Sequence, residues 1–391
     1  MGLKFELLQS SERLLPRCSE CRLHEQCKSP KMPPTGEGRR RILVVGEAPG
    51  AEEDQCGIQL IGKSGQFLRA EMRRLGWDLD RDCWKTNALC CRPPNNRTPT
   101  AREIDACRPN VLNAIRSLKP RVIVLLGNAA VESVIGSIWT QSVGSLTLWL
   151  GRRIPLKRWN CWACPTFHPS YVLREQKNPV VGVWFRRHLE QALLIQEDPC
   201  VPDYMSQVVC EMDASKAAER LRKQKTAFAF DFETNRLKPE HPESQILSCA
   251  VADDSGAIAF PWQQPAIDAM SHLLRSDIPK VGANIKFEER WVRRLMGYPV
   301  RAWAWDVVQA AHVLDNRSRA SNLKFQSFVE LGQEPYDQDI APLKVSEGGN
   351  DENRLRFADW SKLLLYNGLD SLLTWHLAKR QYQKLAQERH K

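Results

Sequence analysis

A run of acids and prolines near the middle of the chain, Glu197-Asp-Pro-Cys-Val-Pro-Asp203, constrains the fold more than any other feature. It follows an apolar helical pattern over residues 183–195 and sets two prolines and three acids where that helix would have to continue, so the chain breaks there. A chain of 391 residues also exceeds what one hydrophobic core ordinarily serves. The front part alternates strand and helix: strand 41–46, a glycine-rich turn, helix 65–75, strand 84–88, helix 101–118, strand 122–126. That order predicts a parallel sheet flanked by helices. Behind the break come helix 214–224, strand 227–232, and strands 246–252 and 258–261 as a hairpin, with helices dominating from residue 267. The expectation is an α/β protein of two domains, 1–196 and 210–391, joined by a linker over 197–209.

Charge separates the same two parts. Residues 1–196 hold 30 Lys and Arg against 18 Asp and Glu, whereas residues 197–391 hold 26 against 28, so the whole excess of +10 lies in front. Solubility alone would not segregate the charge; a positive field of that size favours a polyanionic partner, most simply nucleic acid. The longest uninterrupted β-like apolar run, Val122–Leu126, is far short of a membrane span. Lys4, Glu6, Glu12 and Arg13 break up the apolar core that a secretory leader needs, which points to a cytoplasmic protein.

Thirteen cysteines in such a chain argue for metal ligation or buried packing rather than a disulfide framework. Cys18 and Cys21 supply two thiols from one turn, and Cys91 and Cys107 are suited to supply two more; spacing alone leaves zinc and an iron–sulfur cluster both open. Cys27 and Cys90 lie beside these. Cys161 and Cys164 form another pair with two residues between them, but their surroundings read as a buried strand.

Around these cysteines the motifs become specific. Gly46-Glu-Ala-Pro-Gly50, Gly57-Ile-Gln-Leu-Ile-Gly62-Lys-Ser-Gly65, Thr86-Asn-Ala-Leu-Cys-Cys-Arg-Pro-Pro94, Cys107-Arg-Pro109 and His168-Pro-Ser-Tyr-Val-Leu-Arg174 resemble the family 4 uracil-DNA glycosylases in order and spacing. The resemblance implies a parallel-sheet α/β/α sandwich with a [4Fe-4S] cluster on Cys18, Cys21, Cys91 and Cys107. It further implies that Glu47 positions the attacking water, Asn87 reads the uracil edge, and His168 donates to the developing uracil anion. Leu173 and Arg174 would probe the groove beside a flipped nucleotide. One position departs from the family: Leu60 stands where an aromatic ring stacks on uracil, which implies weaker holding of the base.

In the rear part, Phe230-Asp-Phe-Glu-Thr-Asn235 ends an apolar strand, and a period of two places Asp231 and Glu233 on one face. Two neighbouring acids at a strand end call for a compensating cation. Val281-Gly-Ala-Asn284-Ile-Lys-Phe-Glu288 opens a helix, and Tyr366-Asn-Gly-Leu-Asp370 sets a tyrosine and an acid on one helical face. Together these resemble the three motifs of the DEDD exonucleases, in the tyrosine branch that proofreads for family A DNA polymerases. The resemblance implies a ribonuclease H-like domain and two-metal hydrolysis of a 3′ end with Mg²⁺ or Mn²⁺. Asp231, Glu233, Glu288 and Asp370 would be the ligands, Tyr366 would orient the water, and Asn284 would support the strand. Glu288 departs from the usual aspartate. Asp306 is the candidate to substitute for Glu288, but it reads more readily as a helix N-cap. Only 21 residues follow Asp370 (391 less 370), so a polymerase is expected on a separate polypeptide. The leading expectation is therefore a 3′–5′ exonuclease with an appended glycosylase-like DNA-binding module, of a phage type. A bifunctional enzyme that also excises uracil and a non-catalytic replisome scaffold are the alternatives.

Overall fold

The computed structural model describes residues 14–175 and 177–388. The leader argument drawn from Lys4 to Arg13 lies outside the described residues. Two compact units divide at residue 199.

The first unit is built on a five-stranded sheet: β1 (Ile42–Gly46), β2 (Cys83–Asn87), β3 (Val122–Leu126), β4 (Ile154–Leu156) and β5 (Cys161–Thr166), in the order β2-β1-β3-β5-β4. The first four positions of that order run parallel, and β4 returns antiparallel to β5. Strands β1 and β3 are apolar and buried along their whole length, as a sheet covered on both faces requires. Helices Lys63–Arg74 and Pro179–Leu193 contribute Leu68, Met72, Phe185 and Leu189 to the core with β1 and β3. Helix Ala101–Leu118 starts at a reciprocal cap, in which Thr100 accepts from the Glu103 amide and Glu103 accepts from the Thr100 amide. Cys161 and Cys164 are buried in β5, as the sequence pattern indicated.

The second unit carries a six-stranded mixed sheet: β6 (Val208–Cys210), β7 (Phe228–Thr234), β8 (Ile246–Asp253), β9 (Gly256–Pro261), β10 (Lys280–Gly282) and β11 (Trp303–Asp306), ordered β11-β10-β7-β8-β9-β6. Strands β7, β8 and β9 form an antiparallel meander; β10 is parallel to β7, and β6 is parallel to β9. The end of the expected linker is thus ordered: residues 208 and 209 pair with β9, because the β9 edge offers unpaired backbone groups that a short strand satisfies. On β7, Phe228, Phe230 and Phe232 point into one apolar layer with helices Ala266–Arg275 and Lys286–Met296. Ala229, Asp231 and Glu233 occupy the opposite face, beneath the 29-residue helix Trp360–Glu388. That helix lies so close to the sheet that a Cβ on Gly368 would stand 2.3 Å from Val208 Cγ1, so this position requires glycine. No helix among the described residues is long and apolar enough to cross a membrane.

Candidate functional site

In the first unit the chemistry-bearing residues gather at the carboxyl ends of the parallel strands, where open α/β sheets bind ligands. Glu47 follows β1, Asn87 ends β2, and His168 stands two residues beyond β5. Gly46 pairs with Asn87 across the β1–β2 ladder, and a Cβ on Gly46 would stand 2.3 Å from Asn87 Oδ1 and 3.7 Å from Leu60 Cδ2. A side chain there would displace the carboxamide. Asn87 is buried, and among the described residues its carboxamide makes no protein hydrogen bond. Leu60 is buried beside it with φ +56°, a left-handed conformation unusual for leucine.

His168 caps the helix Pro169–Arg174: its Nδ1 accepts the Ser170 amide at 3.2 Å, with Ser170 Oγ at 2.7 Å. An accepting Nδ1 leaves the proton on Nε2. Burial first, then the Arg174 charge, hold the imidazole down to about 4, so at neutral pH it is an uncharged donor. Glu47 is pushed the other way, raised by burial against the opposing pull of Arg174. Arg174 is exposed and Leu173 half-buried on the same short helix.

A separate cavity is lined by Cys18, Cys21, Cys90, Cys91, Cys107 and Lys31. Cys18 and Cys21 bound a one-turn helix, and Cys107 lies in Ala101–Leu118. Its sulfurs receive the donors that thiolates need: the Lys31 amide reaches Cys91 Sγ at 3.2 Å, while the Cys90 amide and Asn110 Nδ2 reach Cys107 Sγ at 3.3 and 3.4 Å. A hydrogen bond from the Cys90 thiol, helped by these two donors, brings Cys107 down to about 6 against the effect of burial. Cys27 is half-buried against this cluster.

In the second unit, Asp231, Glu233 and Asp370 converge: each offers an oxygen, all within 4.8 Å of one another. Asp231 and Glu233 come from alternate positions of β7, and Asp370 comes from the long helix one turn after Tyr366. Burial, then the Glu233 and Asp370 charges, push Asp231 well above the usual carboxylate range. Burial raises Glu233 as well. Glu288 stands outside this trio; it is buried in helix Lys286–Met296, raised by burial and next by Asp231, and its Oε2 has no hydrogen-bond partner. Asn367 holds Asp231 in place, donating to Oδ2 at 2.7 Å while accepting from Ser248 at 2.9 Å. Asn284 is exposed in a left-handed turn with φ +64°. Asp306 accepts from the amides of Asn284 and Ile285 at 3.0 Å each and from Val308 at 2.9 Å. Its carboxylate is thus spent on capping helix Val307–Leu314 and on holding that turn.

Three residues in this centre escaped the sequence reading. Lys344 Nζ donates to Glu233 at 3.0–3.1 Å and to Tyr366 Oη at 3.1 Å. Lys324 Nζ donates to Asp370 and, at 3.0 Å, to Tyr336 Oη; Tyr336 also donates to Asp370. Lys324 lies 4.0 and 4.1 Å from the ring centres of Tyr336 and Tyr366. Burial opposes the charge on both lysines: it lowers Lys324, whereas at Lys344 the surrounding Glu233, Asp370 and Asp231 outweigh it and the net shift is upward. Tyr366 is raised well above the usual phenol range by burial and the nearby acids, and so stays a neutral phenol.

Residues 33–193 match the model of the uracil DNA glycosylase superfamily, and residues 205–380 match a 3′–5′ exonuclease model. The front unit is 36% identical over 172 residues to a type-4 uracil-DNA glycosylase of Pyrobaculum aerophilum, covering 43% of this chain and 85% of that protein. It is 37% identical over 184 residues to the type-4 enzyme of Thermotoga maritima, covering 46% and 89%. A DNA polymerase of Bacillus phage SP01 is 25% identical over 399 residues, spanning 90% of this chain but 41% of the polymerase. On these grounds the chain belongs to the uracil-DNA glycosylase superfamily, through a front domain akin to the type-4 enzymes, and it carries a 3′–5′ exonuclease domain behind it.

Proposed function

We propose that the rear domain is a two-metal 3′–5′ DNA exonuclease and that the front domain is an iron–sulfur DNA-binding module with a uracil pocket. The observation that carries the first part is the convergence of Asp231, Glu233 and Asp370 beneath the long helix. Burial raises the proton affinity of Asp231 and Glu233, as expected of crowded carboxylates that suit a divalent cation, and the unpartnered Oε2 of Glu288 offers a further hard oxygen donor. Mg²⁺ or Mn²⁺ bound there would supply charge stabilisation for the attacking and leaving oxygens of a phosphodiester. The chain's own residues do the rest. Asn367 fixes the Asp231 carboxylate, and Tyr366 remains a neutral phenol able to orient water through its hydroxyl. The turn at Asn284, pinned by Asp306, is suited to support the strand end.

For the front domain, the carboxamide of Asn87 supports recognition of a base edge, and a neutral His168 with its proton on Nε2 supports donation to a uracil oxygen as negative charge develops. Glu47 at the end of β1 would position water. Cys18, Cys21, Cys91 and Cys107 would hold the cluster. The amide donors on the Cys91 and Cys107 sulfurs suit thiolate ligands of such a cluster. The similarity to the phage polymerase supports a role beside a DNA polymerase in replication or repair.

The test is a 5′-labelled single strand incubated with the protein and Mg²⁺. A ladder shortening from the 3′ end is expected; Asp231→Ala should abolish it and leave any cleavage at uracil intact. Loss of both activities in that variant, or no ladder from the wild type, would overturn the assignment. Alkali treatment of a uracil-containing duplex then decides whether the pocket excises uracil or only holds DNA.

A further inference from the structure

The carboxylate trio is neither bare nor open to water alone. Both oxygens of Glu233 face Lys344 Nζ at 3.0–3.1 Å, and Asp370 Oδ1 takes hydrogen bonds from Lys324 and Tyr336. These are the same lone pairs a divalent ion requires. The two ammonium groups come from separate short elements: Lys324 lies in the first turn of helix Leu323–Leu331, fixed by the Asn322 cap at 3.0 Å, and Lys344 ends the helix Ala341–Lys344. Between them lies the Tyr366 ring, with Lys324 at 4.1 Å and Lys344 at 4.5 Å from its centre. In the ionised form that binds a metal, the three carboxylates and two ammonium groups sum to one net negative charge. Two divalent ions added with both lysines still in place would reverse that to strong like-charge crowding.

We propose that Lys324 and Lys344 are internal counter-cations of the metal-free exonuclease centre, and that loading divalent ions is an exchange in which the ions displace both ammonium groups from Glu233 and Asp370. The inference rests on the reading of this trio as a divalent-ion site. Its consequence is a set point: the lysines stabilise the empty centre, so more free metal is needed to fill it, since affinity is measured from whatever state the ion replaces. Lysine suits the part. Its charge is a single point on a flexible stem, able to swing away without dismantling the fold, whereas an arginine fork would hold a carboxylate with two bonds.

The experiment is Mn²⁺ binding to the full-length protein, read from the free-ion electron paramagnetic resonance signal, with no nucleic acid and no turnover. Lys344→Met and Lys324→Met are each expected to tighten binding roughly ten-fold or more, because the ion no longer competes with a charge at about 3 Å. Lys344→Arg should bind no more tightly than the wild type. In chelator, both Met variants should melt below the wild type, and saturating Mn²⁺ should close that gap. If a Met variant does not survive chelator, it is purified with Mn²⁺ and its affinity is read by competition with a chelator of known strength. Unchanged or weaker Mn²⁺ binding by both Met variants overturns the exchange while leaving the metal site standing. A wild type that binds no Mn²⁺, or binds it as well after Asp231→Asn, overturns the metal reading itself and this inference with it.

Discussion

At Leu60 the proposed base pocket departs from the motif pattern that the front domain otherwise resembles. Its side chain is buried beside Gly46 and Asn87 and presents methyl groups where a π-face would stack. Stacking of a base on an aromatic ring is worth about 1–3 kcal/mol, so Leu60→Phe is expected to raise uracil affinity or excision roughly ten- to hundred-fold, measured on a uracil-containing single strand. His168 makes a prediction with a definite sign. Its folded value, about 4, lies below that of a free imidazole, about 6.5, so the unfolded chain binds more protons between those limits. The His168 contribution to front-domain stability should therefore be constant above pH 6.5 and fall as pH drops toward 4, and His168→Gln should flatten that part of the slope in thermal melts recorded against pH. Any uracil excision should persist down to pH 5, because the residue is still an uncharged donor there.

At the scale of elements, Asp306 joins two structures with one carboxylate, capping helix Val307–Leu314 and holding the amides of Asn284 and Ile285. Asp306→Ala removes a cap worth about 1–2 kcal/mol and strands two more donors, so it should lower the melting temperature of the second unit more than its side-chain volume suggests. Asp306→Asn should recover part of that loss. Elements of this kind were legible in the sequence because their rules are local. Alternation along β7 put Asp231 and Glu233 on one face, and a spacing of four put Tyr366 and Asp370 on another. Lys324, Lys344 and Tyr336 were not legible. They lie in a stretch of short helices and loops with no strong period, and they reach the site through contacts 22 to 111 residues away in sequence. Strand β6 was hidden for a related reason: Val208–Cys210 is too short to announce itself and forms because an edge of β9 awaits a partner.

For the whole molecule, the division of labour follows the division of charge. The basic surplus lies in front, and the carboxylates of the proposed metal centre lie behind. Divalent ions should thus stabilise only one unit, by about 2.7 kcal/mol at a hundred times the dissociation constant, while iron chelation should loosen only the other. Limited proteolysis with and without Mg²⁺, and before and after cluster removal, checks this by which half survives. Protection of the front half by Mg²⁺ would show that the carboxylate centre has been assigned to the wrong domain.

The helix Trp360–Glu388 carries Tyr366, Asn367 and Asp370 on the same rod whose Leu369, Leu372, Leu373 and Leu377 fill the layer above the sheet. Chemistry and architecture therefore share one inheritance. A descendant that gave up hydrolysis could not shed this segment and remain folded, so silent versions of the domain should differ from active ones by single exchanged side chains rather than by missing pieces.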